Sequence, residues 1–156
     1  MTGTEAPAAP PADPDIEAAL LAAAAAARLH AHAPYSGFAV GAALRDESGA
    51  LHAGCNVENA SYPEGSCAET GAIAAMVAAG GRRITHILVL ADAPAPVPPC
   101  GGCRQRIAEF ATADTLVLMA GPEGVRRRTT IGALLPSAFS SARHLDLGEE
   151  GGESGA

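Results

Sequence analysis

Two short segments constrain this chain more than any other feature: Cys67-Ala68-Glu69 and Pro99-Cys100-Gly101-Gly102-Cys103. A Cys-x-x-Cys run that opens a helix puts both sulfurs on one side of the first turn. Cys67 would supply a third sulfur. Three protein ligands are what a catalytic zinc takes while leaving one position for water. Glu69 stands two residues beyond Cys67, near enough to reach that position without being a ligand itself. For these side chains to act together, residues 67–69 and 99–103 must meet, so the fold has to bring two helix starts to one place. Each feature also has a plainer reading on its own. The sulfurs could hold a structural zinc or be buried thiols, and Glu69 could be a carboxylate that suits a helix N-terminus.

Composition narrows the setting. The chain has 156 residues, enough for one domain with a real core, and 48% hydrophobic content excludes a disordered chain. Much of that content is alanine, and there are two tyrosines, three phenylalanines and no tryptophan, so the core is expected to be built from small residues. A formal net charge of -7 argues against gripping a phosphate backbone, and therefore against nucleic acid as partner. The four cysteines, Cys55 included, could form two disulfides in a secreted protein. However, the N-terminus has no charged start followed by an apolar core and cleavage site, and the apolar run 18–27 is short for a membrane span. The expectation is a cytoplasmic protein without a membrane, where closely spaced cysteines mean metal more often than disulfide.

Along the chain, residues 1–14 are expected to be a tail without fixed structure, residues 15–147 the folded domain, and residues 148–156 an unstructured acidic end. Residues 15–30 suit a helix that Pro34 ends. Residues 38–45 and 51–56 read as a hairpin about the turn 46–49. Ser66 is placed to cap a helix over 67–79, with Gly80-Gly81 as its stop. Residues 84–91 form the clearest buried strand. A proline-rich loop over 94–99 leads to a second metal-bearing helix over 102–111. Strands over 115–120 and 125–130 and a short helix over 131–135 follow. Arg126, Arg127 and Arg128 read as a solvated face or a subunit contact. Helices alternating with apolar strands predict an α/β domain with helices on both faces of the sheet.

The motifs together carry a specific resemblance. It runs through Tyr35-Ser36-Gly37-Phe38-Ala39-Val40-Gly41-Ala42-Ala43-Leu44 and Gly54-Cys55-Asn56-Val57-Glu58-Asn59-Ala60-Ser61-Tyr62. It continues through Cys67-Ala68-Glu69 and Pro99-Cys100-Gly101-Gly102-Cys103-Arg104-Gln105 to Leu134-Leu135-Pro136. Over roughly residues 15–140 the chain resembles the cytidine deaminases of the small, three-cysteine class. That resemblance implies a three-layer α/β/α sandwich with a five-stranded mixed sheet. It implies one Zn²⁺ per subunit on Cys67, Cys100 and Cys103, with Glu69 as proton shuttle. Asn56 and Glu58 match the pair that holds the ribose hydroxyls, Phe38 the aromatic that packs on the pyrimidine, and Ala68 a backbone contact to the base. Read alone, Asn56 and Glu58 suit loop hydrogen bonding and Phe38 suits a core. Phe139 matches an aromatic that reaches a neighbouring subunit's site, and a homotetramer is implied. One position departs: where many relatives carry an arginine after the glutamate, this chain has Thr70, which leaves Arg104 to offset the thiolate charge. The expected activity is hydrolytic deamination of cytidine and deoxycytidine. The alternatives are a related aminonucleoside such as blasticidin S as substrate, or a non-catalytic zinc-stabilised scaffold.

Overall fold

The structure is a computed structural model in which residues 6–145 are described. Five strands make one mixed sheet: β1 (Val40–Asp46), β2 (Leu51–Cys55), β3 (Ile84–Ala91), β4 (Leu116–Gly121) and β5 (Gly124–Thr130), in the order β2-β1-β3-β4-β5. Neighbouring strands are antiparallel except β3 and β4, which are parallel. A parallel pair cannot be closed by a hairpin, so the chain crosses over between them through a helix, α3 (Gly101–Glu109).

Helix α1 (Pro14–Arg28) covers one face of the sheet, while α2 (Ala68–Ala78), α3 and the short α4 (Ile131–Leu134) cover the other. Leu88, Leu90 and Leu118 pack with Leu20 and Ala24 of α1. Ile87, Val117 and Met119 pack with Ile73 and Met76 of α2 and Ile107 of α3. Both faces of β3 are thus buried, which is why it reads as a continuous apolar run. The three layers and the five-stranded mixed sheet are those expected from the sequence.

Small residues let the helices sit directly on the strands. A Cβ on Gly41 would lie 2.0 Å from the Ala24 carbonyl oxygen of α1. One on Gly54 would lie 2.5 Å from the Ala72 nitrogen and 2.6 Å from the Ala68 oxygen of α2. No side chain fits at either contact, so α2 is held at a fixed height above β2.

Several local expectations need correction. Helix α1 stops at Arg28, well before Pro34. Arg28 Nε donates to the Ala39 oxygen at 2.9 Å, and the chain then turns so that His32 N donates to Asn56 O at 3.0 Å. Tertiary pairing therefore ends the helix before the proline can. Ser66 does not cap α2: it exchanges backbone hydrogen bonds with Val57, both 2.9 Å, and Cys67 takes the cap position. The arginines of β5 are tied down rather than solvated. Arg126 pairs with Glu123, Arg127 donates to the Ala6 oxygen, and Arg128 forks onto both oxygens of Glu17 at 2.6 Å.

Composition predicted no fixed structure for residues 1–14. Of these, residues 6–13 are described and lie against β5. Ala9 N donates to Arg128 O at 2.9 Å, and Thr129 Oγ1 donates to Pro7 O at 2.8 Å. The expectation for residues 148–156 falls outside the described residues. Among the described residues the structure adds to the sequence reading a four-residue helix, α5 (Ser141–His144), and a 3-10 turn at Tyr62–Glu64. Among the described residues no helix is long and apolar enough to cross a membrane.

Candidate active site

Strand register gathers three segments at one end of the sheet. The start of β1 lies opposite the end of β3 (Val40 against Ala91) and opposite the end of β2 (Gly41 against Cys55). The loops leaving β2 and β3 at this end lead into α2 and α3, so both helices begin beside the start of β1.

Each of these helices begins at a cysteine. Cys67 and Cys100 are the N-cap residues of α2 and α3, both with extended backbone and neither using its side chain as a cap. Their sulfurs are left free to face one another, 3.8 Å apart. Cys103, in the first turn of α3, brings a third sulfur, and all three lie within 4.8 Å of each other. Disulfide sulfurs would sit about 2.05 Å apart. A tetrahedral zinc with Zn–S bonds of about 2.3 Å holds its sulfurs about 3.8 Å apart. The spacing and the soft donor set therefore fit zinc. Burial pushes the Cys67 and Cys103 thiols up, so a metal binding here displaces protons from them.

Glu69 is the second residue of α2 and only 4% exposed. Burial raises its carboxyl above the usual range, and the nearby Cys103 thiol and Arg106 charge pull it the other way. It shares with Cys67, Cys100 and Ala68 the wall of a cavity of about 410 Å³. That volume falls in the usual range for small-molecule sites. Phe38, Asn56 and Glu58 line the same cavity. The structure thus brings together the three cysteines, Glu69, Ala68, Phe38, Asn56 and Glu58.

Two of these residues also hold the loops. Asn56 Oδ1 accepts from Val40 N at 2.8 Å, and its Nδ2 donates to Phe38 O at 2.9 Å, so the amide clamps the backbone just ahead of β1. This leaves one amide hydrogen and one lone pair for the cavity. Glu58 Oε2 accepts from Tyr35 N at 2.8 Å and Ser36 N at 3.2 Å, while Oε1 accepts from Ser36 Oγ. These bonds, the Ser36 hydroxyl foremost, hold its carboxyl below the ordinary glutamate range.

Arg104 does not turn toward the sulfurs with the donors it has placed. Nε donates to Pro99 O and Nη1 to Leu134 O, both at 2.9 Å, which fixes the peptide leading into Cys100. Phe139 lies outside the cavity wall, 56% exposed and stacked on His144 at 5.1 Å. Sequence reasoning gave no role to Ser36, although its spacing before Phe38 suits a hydroxyl turn: Phe38 N donates to Ser36 Oγ at 3.0 Å. It also missed Val97 and Pro98, whose loop closes the cavity beside Cys100, and the rim tyrosines. Tyr35 and Tyr62 meet edge to face at 5.7 Å.

Fold and site together define an α/β protein with a three-cysteine cluster able to hold a metal and one buried acid beside it. Comparison with known proteins agrees. The family described as "Cytidine and deoxycytidylate deaminase zinc-binding region" matches residues 14–119. The cytidine deaminase of Sporosarcina psychrophila is 45% identical over 121 residues, spanning 78% of this chain and 89% of that one. That of Mycobacterium tuberculosis is 39% identical over 109 residues, spanning 70% and 78%. The crystal structure of cytidine deaminase from Burkholderia pseudomallei superposes with a TM-score of 0.73 at 45% identity, covering 78% of this chain and 98% of its own. The chain belongs to the cytidine and deoxycytidylate deaminase family.

Proposed function

We propose that this protein deaminates cytidine and deoxycytidine hydrolytically, giving uridine or deoxyuridine and ammonia. The observation that carries the reading is Glu69 held in the same cavity wall as two of the three clustered sulfurs. Cys67, Cys100 and Cys103 would hold zinc, which when bound supplies a water acidified toward neutral pH.

The chain's own groups do the rest. Glu69 takes the two protons of the attacking water in turn, passing the first to N3 of the pyrimidine and the second to the departing amine. Its raised affinity for a proton, a consequence of burial, suits a group that must act as base and then as acid. Phe38 packs on the ring, and the backbone at Ala68 meets the base. Asn56 and Glu58 take the sugar hydroxyls. A free base has no sugar hydroxyls to meet these two side chains, which favours a nucleoside. Arg104 keeps the Pro99–Cys100 peptide in place behind the sulfurs.

The four apolar side chains Tyr35, Phe38, Val57 and Tyr62 stand exposed around the cavity mouth. They support a homo-oligomer, read as a tetramer, in which Phe139 of one subunit reaches a neighbour's site. The acidic chain, with no run of free arginines on β5, supports a small nucleoside rather than nucleic acid as partner. A cytoplasmic setting suits the three reduced thiols.

The test is direct. Purified protein assayed for zinc is incubated with cytidine, and ammonia and uridine are followed together. One zinc per subunit and equal release of both products are expected. Glu69→Gln should keep its zinc and lose turnover by at least about 10²- to 10⁴-fold. Turnover of blasticidin S but not cytidine would move the substrate to the aminonucleoside reading. Zinc bound with no turnover of either would leave a scaffold.

A further inference from the structure

The cavity wall carries a hydroxyl that the chemistry above leaves unused. Ser36 lies there with Phe38 and Glu58. Phe38 N donates to Ser36 Oγ at 3.0 Å, and Ser36 Oγ donates to Glu58 Oε1. The direction of this chain is forced. A backbone N–H can only donate and an ionised carboxylate can only accept, so the one hydroxyl hydrogen points at Glu58. A hydroxyl that accepts while it donates is polarised and makes the stronger bond. Gly37 stands between the two residues with φ of 69°, a left-handed backbone that glycine adopts freely. The turn through it brings the Phe38 N–H back to Ser36 Oγ.

Glu58 is held unevenly. Oε2 accepts from two backbone donors, Tyr35 N at 2.8 Å and Ser36 N at 3.2 Å. Among the described residues, Oε1 accepts from Ser36 Oγ alone. A carboxylate offers about four acceptor positions, two on each oxygen. Three are taken, and the open one is on Oε1. Pinned through Oε2 only, the carboxylate would stay in the wall but be free to turn. The Ser36 hydroxyl holds the second oxygen and stops it.

Resting on the nucleoside reading above, we infer that Ser36 is a positioning residue for sugar recognition: its hydroxyl aims the open acceptor of Glu58 Oε1 into the cavity and ties it to the peptide that carries Phe38. It touches no reacting atom and acts through Glu58.

The test is steady-state kinetics of the zinc-loaded wild type, Ser36→Ala and Ser36→Thr on cytidine and on 2′,3′-dideoxycytidine, whose sugar lacks the ring hydroxyls. The readout is the ratio of kcat/KM for the two substrates, in which any loss shared by both cancels. Ser36→Ala should keep its zinc and lower that ratio roughly three- to tenfold, the contribution of one hydrogen bond. Ser36→Thr keeps the hydroxyl at an exposed position, so its ratio should stay close to the wild type's. An unchanged ratio in Ser36→Ala overturns the inference, whether or not both rates fall. So does a Ser36→Thr ratio as low as that of Ser36→Ala, or a Ser36→Ala protein that loses its zinc, since each makes the hydroxyl a structural part only. A wild type that turns over both substrates equally removes Glu58 from sugar recognition and the inference with it. One that turns over neither takes down the whole nucleoside reading.

Discussion

Glu58 spends both its oxygens on the chain itself, and this decides what replacing it does. Tyr35 N, Ser36 N and Ser36 Oγ all donate to it, so it is fixed and ionised before any ligand arrives. Glu58→Gln removes the charge, turns one acceptor into a donor facing two N–H groups, and loosens the loop. Hydrogen bonds to a charged group contribute about 1.5–3 kcal/mol, so kcat/KM for cytidine should fall roughly 10- to 100-fold. Steady-state kinetics with a parallel zinc assay checks this; the metal content should not change. At this scale the sequence was legible wherever chemistry is local. The sulfurs and Glu69 follow from motif spacing, whereas Asn56 and Glu58 came to the site only through the family resemblance. Ser36 was not legible, because its role depends on a loop from the far side of β2. Nor was the environment of Arg104, whose acceptor on Leu134 lies thirty positions away.

Elements were legible in order and type, since the apolar runs of β3 and β4 and the glycine stop after α2 are strong local signals. Their ends were not. Arg28 and His32 are drawn off by contacts with the β1 and β2 loops, and Cys67 rather than Ser66 begins α2. The contact of β5 with residues 6–13 also left no readable trace, because it runs largely through backbone carbonyls. One glycine links element geometry to the site. Gly54→Ala would drive a methyl into the backbone of Ala68 and Ala72, neither of which can swing aside. Overpacking of this kind costs typically about 1–3 kcal/mol. Because the displaced turn carries Cys67 and Glu69, zinc retention and turnover should both drop. A thermal melt run beside a zinc assay tests the pairing; a stable protein with full zinc would contradict it.

At the scale of the whole molecule, the cavity opens to the surface between the segments that line it. Its mouth is rimmed by Tyr62, which is 75% exposed, and by Phe38, which is 40% exposed. If copies assemble around that mouth, light scattering should give a mass near four chains. Tyr62→Glu, which places a charge on the rim, should lower that mass and weaken turnover together. A wild type that scatters as a single chain while turning over cytidine at full rate would dismiss the assembly. The rim has one more use. With no tryptophan and two tyrosines in the chain, the only strongly ultraviolet-emitting side chains are the Tyr35–Tyr62 pair at the entrance. The protein therefore carries its own optical probe at that doorway, and intrinsic emission can follow a nucleoside entering without any dye attached.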